Sequence, residues 1–233
     1  MRVTTRRVLV LLGLTTVLPL VMFYPFYGHA PCRVGTRVQA LKGGTELLDA
    51  AGRRLGYIDP TRDRYVALSA LPKYVPVAFT AVEDRRLNSW YHRGVDPVGT
   101  VAAGFANLKA GDGPRRGAST IPMQLARALC GDRMPPDHSW TGKLAEAGLG
   151  VYLTTHFGKR DVLEMYLNSV YLGRNRSGID AAARSYYGKS ATALTASDAA
   201  ELAHLVASPR DRDPSASDVR DRRTAIERVF ERM

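Results

Sequence analysis

From Val8 to Tyr27 the chain reads VLVLLGLTTVLPLVMFYPFY, a run without one charged side chain. A helix needs about 20 predominantly apolar residues to cross a hydrocarbon core, so this run is long enough to span a membrane. Arg2, Arg6 and Arg7 stand just before it. Basic residues tend to stay on the cytoplasmic side, which sends everything after residue 30 to the outer side. A cleaved signal peptide is the rival reading. The run is long for one, and HAPC at 29–32 is a poor small-residue cleavage site, which favours an uncleaved single-pass anchor at 8–28 behind a basic cytoplasmic stretch at 1–7. Pro19 and Pro25 would kink or end the helix, and membrane helices tolerate proline better than soluble ones.

The compartment then restricts what the charge can mean. The formal net charge is +11, supplied mostly by arginine, and it calls for an anionic partner. Nucleic acid, an anionic membrane surface and a phosphorylated substrate all fit that sign. An outward-facing domain argues for a membrane-bound anionic substrate and against nucleic acid. Cys32 and Cys130 are the only cysteines, and an oxidising compartment would let them pair if geometry allows. No Cys/His metal set is present in the sequence.

Hydrophobic residues make up 45 % of the chain, enough to bury a real core. Residues 29–70 read as a linker and a short hairpin-like lead-in, because RVQALKGGTELLDAAGRRLGYI alternates apolar pieces with Gly-Gly and Ala-Gly turns. From Val75 the pattern becomes helical. Val77, Ala81 and Val82 share a face and place Glu83 near a helix C-terminal end. A second helix starts near Asp96 and Pro97, and GDGPRRGAST at 111–120 is a glycine-rich basic loop. Ser119 or Thr120 can cap the helix IPMQLARAL, with Pro122 tolerated in its first turn. Thr141 to about His156 is helical, and Asp161 opens another helix with a buried stripe of Val162, Leu163, Tyr166, Leu167 and Val170. Thr195 and Asp198 form a capping box, and a charged terminal helix starts near Ser217.

Four segments stand out in order: EDRRLNSWYHRGVD, GASTIPMQLARAL, KLAEAGLGVYL, and KRDVLEMYLNSVYLG followed by GIDAAARSYYGKSATALTASDAAELA. Taken alone, the first reads as a solvated helix end with local Glu/Arg pairing. The succession resembles glycosyltransferase family 51, the monofunctional peptidoglycan glycosyltransferases in particular, over about residues 70–210. The resemblance implies a mainly α, lysozyme-like two-lobed domain over 71–212. Its smaller, membrane-proximal lobe falls at 98–118, with a charged C-terminal helix at 213–233. It also implies the activity: polymerisation of lipid II into glycan strands, in which the 4-hydroxyl of an acceptor sugar displaces undecaprenyl pyrophosphate with inversion.

Such a reaction needs a base at the hydroxyl and cations at the leaving group. Glu83 matches the family's catalytic glutamate and is the expected general base; Glu146 matches its second glutamate. Asp84, about 100° around the helix from Glu83, is expected to orient the motif or pair with an arginine. His92, Ser119, Thr120, Gln124, Arg127 and Lys143 complete the expected substrate-binding set, with Arg127 and Lys143 as leaving-group cations. Without the resemblance, Glu146 reads as a surface residue paired with Lys143 three positions earlier. Glu164 and Asn168 are expected to hold the fold. A divalent cation, Mg or Mn, is the one cofactor the resemblance suggests, at the pyrophosphate. A transpeptidase partner would supply cross-linking.

The chain also departs from the pattern. Ala102, His138, Gly142 and Ala145 stand where the family often carries basic residues, and short aliphatic side chains donate no charge-assisted hydrogen bonds. Arg115, Arg116 and Arg133 are candidate substitutes. The departures leave a second reading open, a weak or inactive relative that binds precursor or glycan as a scaffold. A lytic enzyme and a basic surface adhesion protein are further rivals, the latter explaining the charge but not the ordered motifs.

Overall fold

The computed structural model describes residues 34–43, 46–57, 65–110, 117–135, 139–209, 212 and 218–233. The expected anchor at 8–28 and Cys32 lie outside them. Among the described residues, no helix is long and apolar enough to cross a membrane. The fold is mainly helical. Helix α1 (Val34–Gly43) stands where an extended lead-in was expected, and a small antiparallel hairpin follows, β1 (Glu46–Leu48) on β2 (Arg54–Tyr57). The Asp49 carboxylate holds the hairpin turn by accepting from the backbone of Ala51 and Arg53.

Helix α2 (Tyr74–Glu83) buries Val75, Ala78, Phe79 and Ala81, the face its i, i+3, i+4 spacing selects. It stops at Asp84, whose backbone leaves helical geometry. Helix α3 (Pro97–Ala110) follows a turn-rich segment. Helix α4 (Ile121–Cys130) opens on Thr120, whose hydroxyl accepts from the Met123 amide, with Pro122 in the first turn where no N–H is needed. Helix α5 (Trp140–Leu167) is capped by Ser139 and broken at Gly158, whose φ of 77° no helix contains. The break separates the two helices that the sequence pattern distinguishes on either side of it.

Helices α6 (Ile179–Tyr187), α7 (Ala196–Leu205) and α8 (Val219–Phe230) complete the chain. The Thr195–Asp198 capping box at α7 is present with both of its hydrogen bonds. One core joins these elements: Phe79, Leu87, Ile121, Leu125, Leu149, Leu153, Tyr166 and Leu202 are each almost fully buried. Helix α4 packs along α5, and α2 along α7. The terminal helix, set apart in the sequence by its charge, packs on α7 and α2 through buried Ala225 and Val229. Arg222 pins it there, donating to the Glu201 carboxylate at 2.6 and 3.2 Å.

The segment between α2 and α3 is seated on α5 at one close approach. Gly94 has φ 96°, and a Cβ there would collide with the Gly150 backbone. Glycine is therefore required twice over, by conformation and by space.

Candidate active site

Glu83 is the last residue of α2 and Asp84 the first beyond it. Their side chains meet opposite surroundings. The Glu83 carboxylate faces a cavity and accepts one hydrogen bond, from Gln124 Nε2 at 2.7 Å. Gln124 is itself oriented from behind, because the buried Tyr166 hydroxyl donates to its Oε1 at 3.0 Å. Burial pushes the Glu83 carboxyl above its ordinary range; the Gln124 amide and the Arg212 charge oppose that, and the Asp84 charge adds to it. A raised carboxyl pKa suits a base that must hold a proton near neutrality.

Asp84 turns inward. Its Oδ2 accepts from the Ile121 amide at 3.0 Å, one of the unpaired donors at the N-terminus of α4. Its Oδ1 lies 3.0 Å from His92 Nε2, at ion-pair distance but off a hydrogen-bonding direction. Among the described residues no arginine pairs with Asp84; Arg86 pairs instead with Asp96, its Nε donating at 2.8 Å. His92, expected at the substrate, is fully buried, with its Nε2 beside Asp84.

Glu146, matched above to the family's second glutamate, lies on α5. It is buried and lies under two partly exposed cations. Arg127 donates to its Oε1 from Nε and from a terminal nitrogen at 3.0 and 2.6 Å, and Lys143 Nζ donates to its Oε2 at 2.9 Å. Its carboxylate is therefore the counter-ion that positions Arg127 and Lys143. Lys143 also reaches Ser119, donating to its hydroxyl at 3.3 Å, which links this cluster to the cavity wall. Thr120 is buried, and its hydroxyl donates to the Gly94 carbonyl at 2.6 Å.

Two adjoining cavities of about 470 and 460 Å³ share Glu83, Ser119 and Arg232 in their walls. The first also includes Gln124, Arg212 and Arg228; the second includes Asp84, Arg86, Asp96 and Ala102. The short Ala102 side chain thus sits on the cavity wall where the resemblance leads one to expect a cation. Of the candidate substitutes, Arg115, Arg116 and also His138 lie outside the described residues, as does the side chain of Arg133. Among the described residues, no three His, Cys, Asp or Glu side chains cluster as metal ligands would.

Sequence reasoning missed four residues of this region. Tyr166 was legible only as part of a buried stripe, while Arg212, Arg228 and Arg232 sat in a polar tail that reads as solvated. Glu164 and Asn168 hold the fold: Glu164 accepts from the Tyr65 hydroxyl and the Leu68 amide, and Asn168 clasps the Val66 backbone on both sides.

Residues 51–233 match the sequence profile of the family described as Transglycosylase. Penicillin-binding protein 1A of Aquifex aeolicus is 36 % identical over 84 % of this chain and 26 % of its own length. A biosynthetic peptidoglycan transglycosylase of a Marinomonas species is 39 % identical over 67 % of this chain and 66 % of its own length. A putative transglycosylase of Cupriavidus necator is 37 % identical over 81 % of this chain and 83 % of its own. The chain thus spans about a quarter of the penicillin-binding protein and about two thirds of the Marinomonas protein.

Proposed function

This chain belongs to the transglycosylase family, and from that premise we propose that it is a peptidoglycan glycosyltransferase that polymerises lipid II on the outer face of the cell membrane. The observation that carries the reading is the Glu83 carboxylate, which faces a cavity with its pKa raised by burial and is aimed by Gln124 and Tyr166. In the reaction, the acceptor 4-hydroxyl gives its proton to Glu83 as its oxygen attacks the anomeric carbon of the growing strand. The bond from that carbon to the pyrophosphate oxygen breaks with inversion, and undecaprenyl pyrophosphate leaves.

Arg127 and Lys143 are held ready by the buried Glu146, and Lys143 carries that charge to Ser119 on the cavity wall. Glu146 is in this reading a positioning residue. Asp84 and His92 fix the turn after Glu83 against the start of α4. The lysozyme-like division into two lobes, with 98–118 next to the bilayer, belongs to the same reading. Exposed Val98, Val101 and Phe105 on α3, at i, i+3 and i+7, support it by forming one apolar face. The anchor at 8–28, which lies outside the described residues, would keep this face at the membrane.

The test is polymerisation of labelled lipid II by the detergent-solubilised protein beside Glu83→Gln. Polymer from the wild type alone is the expected result. The scaffold reading draws on Ala102, Gly142 and Ala145, where cations are replaced by short side chains. Lipid II binding without polymer from either protein would favour it.

A further inference from the structure

Two arginines within α8 differ from the pair at and just beyond its end. Arg222 donates to Glu201 and Arg223 to Glu227, so both are neutralised. Arg228 and Arg232 make no side-chain hydrogen bond or ion pair with any described residue, yet both line the cavity that holds Glu83. Arg228 lies in the last turn of α8 and Arg232 in the turn just beyond it, so two like charges face the same cavity. Arg212 adds a third guanidinium to that wall, tethered by donation to the His204 carbonyl at 2.8 Å. The crowding is felt by His204: burial lowers its pKa, and Arg212, Arg228 and Arg232 lower it further.

Three guanidiniums concentrated on one wall, two of them without a side-chain partner among the described residues, call for a multiply charged anion that can accept several donors at once. The rigid seat of α8 supports the same conclusion. Buried Ala225 and Val229 and the Arg222–Glu201 pair fix the roll of the helix, so Arg228 reaches the cavity without reorganisation, and Arg232 joins it from the turn that follows. By contrast Arg127 and Lys143 already share one carboxylate and bring less free charge.

We propose that Arg228 and Arg232, with Arg212, form a binding site for the pyrophosphate of a polyprenyl-linked sugar, on the Glu83 side of the cavity. The proposal rests on the glycosyltransferase reading for its ligand but not for its existence. It assigns to the terminal helix the charge that Ala102, Gly142 and Ala145 do not supply.

The experiment measures binding of geranylgeranyl pyrophosphate to the full chain in detergent by calorimetry, beside its lipid II polymerisation. The variants are Arg228→Gln/Arg232→Gln, the charge-keeping Arg228→Lys/Arg232→Lys, and Arg223→Gln on the same helix away from the cavity. Loss of charge-assisted hydrogen bonds predicts a Kd at least about tenfold higher for the Gln pair, an intermediate value for the Lys pair, and no change for Arg223→Gln. Inorganic pyrophosphate competes and geranylgeraniol does not, if the charge is what is recognised. Thermal melts should match the wild type, since both side chains are exposed. Should the Gln pair fail to fold, the Lys pair and a single Arg228→Gln decide the matter by the same affinity criterion. Unchanged affinity in the Gln pair, or no binding by the wild type, overturns the site. A wild type that binds through Arg228 and Arg232 but makes no polymer overturns the polymerase reading and leaves the site standing.

Discussion

Adjacent carboxylates at 83 and 84 do different work because their surroundings differ. Asp84 meets the donor-rich start of α4, whereas Glu83 sits at the end of α2, where the helix dipole disfavours an anion and burial adds to the penalty. If Glu83 is the base, the acid limb of the rate profile lies above the ordinary carboxyl range and Glu83→Gln abolishes turnover; kcat/KM against pH checks the first. The stability sign follows from linkage. The folded pKa of Glu83 exceeds its unfolded value near 4.5, so ionisation costs stability. That cost is absent below the unfolded pKa, grows as pH rises to the folded one, and is full above it. Glu83→Gln should therefore melt at or above the wild-type temperature at neutral pH, with the gain fading as pH falls to about 4. A gain of ~1 kcal/mol would appear as about 2–4 °C. Tyr166→Phe removes the donor to the Gln124 oxygen in a half-buried place, at a cost of about 0.5–1.5 kcal/mol. Its kcat should fall with KM nearly unchanged, because the amide that aims Glu83 loses its own support.

At the scale of elements, α4 is the organising piece. Its first turn supplies the amide for Asp84, the Thr120 cap and the Gln124 side chain, so one helix start fixes both carboxylates. Thr120 also donates to the Gly94 carbonyl and so ties the loop after α2 to this helix. Thr120→Ala should cost about 1–2 kcal/mol in a denaturant melt and lower activity with it, while Thr120→Ser should recover most of both. Gly94→Ala should be worse than either, since the added methyl meets the Gly150 backbone and the φ is unfavourable to an L side chain.

For the whole molecule, the working parts come from distant stretches of chain and depend on how the ends are held. Cys130, at the end of α4, is disulfide-bonded, and Cys32 is the one other cysteine in the sequence. Reduction by a thiol should lower unfolding stability by ~2–4 kcal/mol, read as a lower denaturant midpoint. On the proposed reading, the exposed apolar face of α3 meets the bilayer in which the substrate is anchored. Val101→Ser/Phe105→Ser should slow polymerisation of lipid II in vesicles more than of a short-chain analogue in micelles, with melting temperature little changed because both side chains are exposed.

The sequence alone determined the helical class, the order of the motifs, the start of α4 and the capping box of α7. Each of these is written in short-range patterns: i, i+3, i+4 spacing, a cap residue before a helix, a motif contiguous in the chain. Tertiary structure decided the partners. It brought Gln124 to Glu83 across 41 residues and Tyr166 to Gln124 across 42, and it set Glu146 beneath Arg127 and Lys143. It also buried His92 against Asp84 and turned two arginines of a charged tail into a cavity wall. Such pairings depend on which helix faces pack together, and no local pattern of charge records the identity of a neighbour that arrives from another part of the chain.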